Sequence, residues 1–177
     1  MILFPNAKIN IGLHITEKRK DGFHNLETVF YPVGIMDILE IRKISGTDYR
    51  FQSTGIDLPV EKEENLCDKA YHLLKTYYNI PPVHLHLHKI IPPGAGLGGG
   101  SADAAFTLMG LNHLFELKLN KDTLKQLAGQ LGSDCPFFID NQPSYAWELG
   151  NRLEPITLPL KNYYLLIIMP GIHSSTS

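Results

Sequence analysis

Five glycines fall within seven positions, Gly94, Gly96, Gly98, Gly99 and Gly100, and Ser101 follows them directly. Glycine reaches positive φ without a Cβ clash and lets backbone amides approach a ligand closely. An apolar alternating run leads into this stretch, and residues 102–117 beyond it have helical composition. The amides would then lie at a helix N-terminus, where unpaired N–H groups and the helix dipole both favour an anion. The segment predicts a phosphate cradle. A flexible linker or a plain strand-to-helix turn is the bland alternative.

The known nucleotide motifs fit it poorly. Gly94-x-Gly96-x-x-Gly99 matches the dinucleotide pattern, but the acidic strand end expected about 20 residues on would fall in a helix end and loop. The P-loop pattern needs Gly-Lys-Ser/Thr, whereas Ser101 follows Gly100 here. No His-Arg-Asp or Asp-Phe-Gly element of protein kinases occurs. A second group with possible chemistry is His84, His86 and His88, which alternate with Val83, Leu85 and Leu87. Three imidazoles on one strand face can hold zinc, yet no Cys or carboxylate stands beside them at ligand spacing, and a polar strand face is expected. Cys67 and Cys135 form no CxxC pair and read as buried thiols.

These groups need elements to position them. Ile9, Ile11, Leu13 and Ile15 alternate with Lys8, Asn10, Gly12 and His14, which predicts a strand with one buried and one polar face. Lys20-Asp21-Gly22 reads as a hairpin turn, with strand resuming over 26–31. Further strands are expected over 35–44, 49–51 and 83–87. Leu66, Ala70, Leu73, Leu74 and Tyr77 share one helical face, entered by the charged run 61–65 and stopped by Pro81-Pro82. Helices follow over 102–117 and 122–131, and the segment Gly132-Ser133-Asp134-Cys135-Pro136-Phe137-Phe138 is expected to start a strand. Residues 145–149 and 163–169 complete the strand set. This mixed order predicts an α+β fold, a mixed sheet packed against helices.

Of the 177 residues 44% are apolar, enough for a real core, and 19% are charged, too few for a disordered chain. A net charge of −2 gives no reason to expect nucleic acid. Lys8 and Asn10 interrupt any signal-like apolar start, and no run is long enough to span a bilayer, so a cytoplasmic protein without a membrane partner is expected. The sequence reaches residues 171–177 without a closing element, so the expectation is a domain over 1–160 and, over 161–177, the start of a second domain that is mostly missing.

Four blocks together resemble the GHMP kinase superfamily. Pro5-Asn6-Ala7-Lys8-Ile9-Asn10 is similar to its opening strand and Asp21-Gly22-Phe23-His24 to its substrate loop. Residues 92–105 are similar to its ATP loop, and Gly132-Ser133-Asp134-Cys135-Pro136 to its catalytic aspartate segment. The first two blocks favour the branch acting on a diphosphocytidyl-linked methylerythritol over galactokinase, mevalonate kinase or homoserine kinase. The resemblance implies phosphoryl transfer from ATP, with Mg²⁺ bridging phosphate oxygens, to a hydroxyl of a cytidine diphosphate-linked small molecule in isoprenoid precursor synthesis.

It also implies roles. Asp134 would accept or orient the hydroxyl proton, and Lys8 would face that carboxylate and steady the transferred phosphoryl group. Pro92, Pro93, Gly94, Ala95, Gly96, Leu97, Gly98, Gly99, Gly100, Ser101 and Ala102 would hold the ATP phosphates. Asn65, Leu66 and Lys89, with Glu64, would flank the adenine. Asn10 would place the hydroxyl, Phe23 and His24 would read the cytosine, and Thr176 would add a substrate contact. The family more often has Tyr at the place of Phe23. Asp103 is a second candidate carboxylate, although in a first helical turn it more simply complements the dipole. The alternatives are another GHMP kinase with a different acceptor, a nucleotide-binding module without catalysis and, on the glycine pattern alone, a nicotinamide oxidoreductase.

Overall fold

In the computed structural model, residues 1–57, 64–160 and 162–168 are described, and they form two four-stranded sheets with four helices. The strands are β1 (Ile2–Leu3), β2 (Asn6–Lys18), β3 (His24–Met36), β4 (Ile38–Lys43), β5 (Arg50–Gly55), β6 (Val83–Lys89), β7 (Ser144–Glu148) and β8 (Arg152–Pro155). The helices are α1 (Leu66–Tyr77), α2 (Gly99–Leu114), α3 (Lys121–Leu131) and α4 (Phe137–Asp140). One sheet runs β1-β4-β6-β5, with β5 parallel to β6 and the other pairs antiparallel. The second, β2-β3-β7-β8, is antiparallel throughout. The α+β expectation holds.

Alternation explains the first sheet. Leu39 and Ile41 of β4 and Val83, Leu85 and Leu87 of β6 are buried and form one inner face. His84, His86 and His88 stand on the other, opposite Arg42, Glu40 and Ile38. Thr54 Oγ1 lies 2.9 Å from His86 Nε2 and 3.0 Å from His88 Nδ1, and Arg42 Nη2 lies 3.0 Å from His84 Nδ1. The histidine ladder is engaged in cross-strand polar contacts. Against the inner face lies α2, apolar on all sides and therefore central. Its Ala104, Ala105, Leu108 and Leu111 are fully buried with Cys67, Ala70 and Leu74 of α1. Truncating a leucine at such a position costs roughly 2–5 kcal/mol.

The second sheet inverts its predicted pattern. Lys8, expected on a polar outer face, is only 4% exposed, whereas Ile11, Leu13 and Ile15 are 38%, 50% and 64% exposed. Asn10 pairs with Phe30 and shares its face, while Ile9 and Ile11 pair with Tyr31 and Val29 on the opposite side. Gly12, at φ +65°, then shifts the register between Ile11 and Leu13, so the period of two breaks there. The inward face of β2 looks onto a polar site, and polarity along this strand tracks the site rather than the solvent.

Other boundaries differ for local reasons. The expected strand 35–44 is divided at Asp37, whose carboxylate bonds the chain at Ile90 and Ile91. The helix expected over 102–117 begins at Gly99 and ends at Leu114, with Glu116 and Lys118 at positive φ beyond it. The strand expected after Gly132 is instead α4: Pro136, at φ −60°, suits a helix start, and Phe137 and Phe138 reach the core from it. Tyr77, expected on the buried face of α1, is 59% exposed in the last turn. Residues 163–168 form no strand; Tyr163 bonds locally to Leu160, and Ile167 packs on a small cluster of Ala7, Ile91 and Leu97. The short strands β1 and β8 lacked a sequence signal long enough to find them.

Candidate active site

The glycine segment leaves β6 through the buried Ile91 and turns over residues 92–98 into α2. Gly94, Gly96 and Gly98 have φ of +71°, +71° and +69°, so every second residue of the turn occupies the left-handed region. A Cβ on Gly98 would lie 3.0 Å from Lys8 Cγ and 3.0 Å from the Phe138 ring. Gly98 caps α2 without a side chain, and the first intrahelical bond runs from Ala102 N to Gly98 O. Gly99, Gly100 and Ser101 are therefore the first helical turn, whose amides have no partner within the helix. Pro93, Gly94, Gly96 and Gly100 form its exposed crest, while Leu97 and Ala102 are buried and anchor it. An anion placed at this crest meets unpaired amides and the positive end of a sixteen-residue helix.

Beside the crest, β2 supplies Lys8 and Asn10. The Lys8 amide donates to Leu97 O at 2.8 Å, which ties the strand to the loop. Lys8 Nζ lies 3.3 Å from Asp134 Oδ2, donates to Asn10 Oδ1 at 2.6 Å and sits 4.8 Å from the centre of the Phe30 ring. Asp134 stands in the turn between α3 and α4, where Cys135 N bonds Gly132 O and Phe137 N bonds Asp134 O. Its side chain is 28% exposed and that of Lys8 6%, so the carboxylate opens to the cleft while the ammonium stays behind it. Two further contacts hold this corner. Asn6 and Asn141 exchange amide hydrogen bonds of 3.2 and 2.6 Å, stapling the start of β2 to the end of α4. A Cβ on Gly150, in the β7–β8 turn at φ +83°, would lie 3.2 Å from the Phe30 ring and 3.7 Å from Asp134 Oδ1.

Under the loop lies a buried polar knot. Lys89 Nζ donates to Asp37 Oδ2 at 2.5 Å and to Asp103 Oδ2 at 2.7 Å, with all three side chains at most 3% exposed. Asp37 Oδ1 accepts from Ile90 N at 2.5 Å and Ile91 N at 2.8 Å, and the Asp37 amide donates to Pro5 O. The knot joins both sheets to the entry of the loop and the first turn of α2. Burial pushes the Asp103 carboxyl up to about 7, Lys89 opposing and Asp37 reinforcing the rise. Burial alone would lower Lys89, but Asp103 and Asp37 outweigh it and hold it above its ordinary value. Burial also pushes the Cys135 thiol up to about 11, with Ser101 as its hydrogen-bond partner across the start of α2.

Of the residues singled out in the sequence, the structure brings Lys8, Asn10, Asp134 and the glycine segment together. Asn65 caps α1, accepting from Cys67 N at 2.9 Å, and Leu66 approaches within 3.6 Å of the Cβ position of Gly100. Leu66 thereby adjoins the crest. Lys89 is 3% exposed and committed to two carboxylates, so it supports the loop from beneath instead of facing a base. Phe23, 63% exposed, and His24 stand at the hairpin tip, at the other end of the irregular β2–β3 ribbon from Lys8. Thr176 lies outside the described residues. No local signal marked Asp37, Asn6 or Asn141, whose side-chain partners across the fold are 52 to 135 residues away. Asp103 was read as a dipole complement, and its engagement with Lys89 was likewise invisible at fourteen residues' separation.

Residues 65–142 match the family model for the GHMP kinases N terminal domain. The chain is similar to the 4-diphosphocytidyl-2-C-methyl-D-erythritol kinase of Bacteroides thetaiotaomicron, 53% identical over 99% of this chain and 65% of that protein. To the kinase of the same name from Parabacteroides distasonis it is 51% identical, over 99% of this chain and 64% of the other. A crystal structure of a 4-(cytidine 5'-diphospho)-2C-methyl-D-erythritol kinase superposes with a TM-score of 0.76 at 38% identity, over 90% of this chain and 56% of that one. The chain thus spans about two thirds or less of the length of these relatives.

Proposed function

The chain carries the N-terminal domain of the GHMP kinases, and from that premise we propose that the protein transfers the γ-phosphoryl group of ATP to the 2-hydroxyl of 4-diphosphocytidyl-2-C-methyl-D-erythritol. The reaction belongs to isoprenoid precursor synthesis and takes place in the cytoplasm. Residues 1–160 form the ATP-binding and catalytic domain in this reading, and 161–177 begin the second.

One observation carries it: Lys8 Nζ sits 3.3 Å from Asp134 Oδ2 directly beside the crest of positive-φ glycines. Phosphoryl transfer asks mainly for positioning and for stabilisation of charge. The amides of Gly99, Gly100 and Ser101 hold the ATP phosphates, and Asn65 and Leu66 border the adenine. Asp134 takes the proton of the acceptor hydroxyl as its oxygen bonds to the γ-phosphorus. The bond from phosphorus to the bridging oxygen breaks, and ADP leaves with the electron pair. Lys8 faces both the carboxylate and the transferred group, and Asn10 orients the hydroxyl. Phe23 stacks on the cytosine and His24 hydrogen-bonds its edge.

Magnesium fits as a companion of the phosphates. Among the described residues no three His, Cys, Asp or Glu side chains gather as a metal site, and Asp103 is committed to Lys89. Asp134, half-buried with its carboxylate beside the crest, is the group that would face the metal, and Mg²⁺ arriving with ATP would supply neutralisation of phosphate charge there.

The test is product formation by the protein extended to the length of its relatives, supplied with Mg-ATP and a panel of acceptors. The cytidine-linked acceptor should yield its 2-phosphate and ADP, identified by mass and by ³¹P NMR. Phosphorylation of mevalonate or homoserine instead would reassign the acceptor, and ATP binding without any product would leave a nucleotide-binding module.

A further inference from the structure

The hairpin that carries Phe23 and His24 outruns its support. β7 pairs with β3 only from Leu26 to Phe30, whereas β2 and β3 continue pairing to Lys18 and His24. Residues 11–18 are exposed on both faces, so no core packing holds the end of the ribbon. Two strands alone are marginal in water. A tip that must present two side chains in a fixed direction needs another source of order.

Polar contacts supply it. Arg19 Nε donates to Asp21 Oδ1 at 3.2 Å and Oδ2 at 3.0 Å, and Arg19 Nη2 lies 2.9 Å from Oδ2. Arg19 Nη1 donates to Asn25 Oδ1 at 3.1 Å, and Asn25 Nδ2 passes the chain on to Glu17 Oε2 at 2.9 Å. The same Asp21 Oδ1 accepts from Phe23 N at 3.2 Å, while Arg19 N donates to Phe23 O at 2.8 Å. Phe23 is thereby held at both its amide and its carbonyl, although its ring is in solvent. Gly22 closes the turn at φ +87°. The hydrogen bond from Arg19 holds the Asp21 carboxyl below its usual range, and Asp21 raises Arg19 in return.

We propose that Arg19 and Asp21 are positioning residues: their clamp pre-forms the hairpin tip so that Phe23 and His24 meet the acceptor's nucleobase already oriented. The proposal rests on the base-reading role given to that tip above. Three of Arg19's donor groups are spent within the hairpin, so its part is to shape the tip, not to bind the acceptor's diphosphate. A lysine cannot replace the planar fork. An asparagine at position 21 keeps an oxygen for the Phe23 amide but loses the charge, and an alanine loses both.

The experiment compares Arg19→Lys, Asp21→Asn and Asp21→Ala in the protein extended to the length of its relatives. Pre-organisation lost at an exposed site should raise KM for the cytidine-linked acceptor about threefold to tenfold, most for Asp21→Ala, with kcat and KM for ATP unchanged. In the 177-residue chain, the heteronuclear NOE of the Phe23 and His24 amides should fall in the same order. Unchanged acceptor KM, or an unchanged NOE in Asp21→Ala, overturns the clamp. A large KM effect of Arg19→Lys with both Asp21 variants normal overturns it too, because the guanidinium then contacts the diphosphate itself. A wild-type protein inactive on this acceptor overturns the base-reading role and the proposal with it, a result distinct from activity with normal KM in the variants.

Discussion

The corner formed by Lys8, Asp134 and the glycine crest and the hairpin tip formed by Arg19 to His24 lie at opposite ends of the β2–β3 ribbon and are built in opposite ways. The corner is held by packing. Lys8 is 4% exposed, the Asn6–Asn141 pair staples it from outside, and the Lys89 knot fixes the loop from beneath. The tip has no core under it and depends on exposed polar contacts, with Phe23 63% exposed. Phosphoryl transfer tolerates little misplacement, so its groups sit where the fold over-determines them. Recognition of a flat base tolerates more, and a pre-formed but exposed tip suffices. The two regions should therefore fail differently when they are altered.

The largest effect is expected at the corner. Asp134→Asn, in the protein extended to its relatives' length, removes the proton acceptor and should lower kcat by about 10²- to 10⁴-fold with ATP affinity nearly unchanged. Single-turnover kinetics with an ATP titration checks both, and retained turnover would remove Asp134 from the chemistry. Gly98→Ala should act on structure and chemistry together. It forces an L side chain to positive φ and into Lys8 and Phe138, a loss of roughly 2–4 kcal/mol. Urea unfolding measures that loss, and a variant as stable as wild type would show the corner to be looser than described.

The knot sharpens the comparison through pH. Burial raises Asp103 to about 7, above the roughly 3.9 of an unfolded aspartate. Between those values the folded chain keeps a proton that the unfolded chain releases, so this group's contribution to stability falls as pH rises through the window. Compared with Asp103→Asn, the wild type should lose on the order of 3 kcal/mol between about pH 4.5 and pH 7.5. Parallel pH profiles for the two proteins would mean that Asp103 is ionised throughout. The smallest effect belongs to the tip: His24→Ala should raise KM for the cytidine-linked acceptor about tenfold, one lost hydrogen bond to a base edge, and leave KM for ATP and stability unchanged. Equal effects on both substrates would take the base away from His24.

Sequence reading recovered most of this because local chemistry wrote it plainly. The alternation of β6, the Lys20-Asp21-Gly22 turn and the glycine run each declare their conformation within a few residues. It failed on the hydrophobic face of β2, since an inward surface that serves a polar site reverses the usual pattern, and Lys8 and Asn10 looked solvent-facing. It read Phe137 and Phe138 as strand because a short apolar run has no period to separate the two structures. Asp37 was unreadable for another reason: its partners, Lys89, Ile90 and Ile91, lie more than fifty residues on, and a single aspartate between apolar residues carries no local signal.

The most direct measurement is a titration of the 177-residue chain with Mg-ATP, followed by amide chemical shifts. If the corner is packed in place, saturable shifts should concentrate at residues 94–101 and the neighbouring Asn65 and Leu66, with the amides of Arg19 to His24 unmoved. A folded chain whose crest amides do not respond, or whose response is spread equally over crest and hairpin tip, would contradict the account.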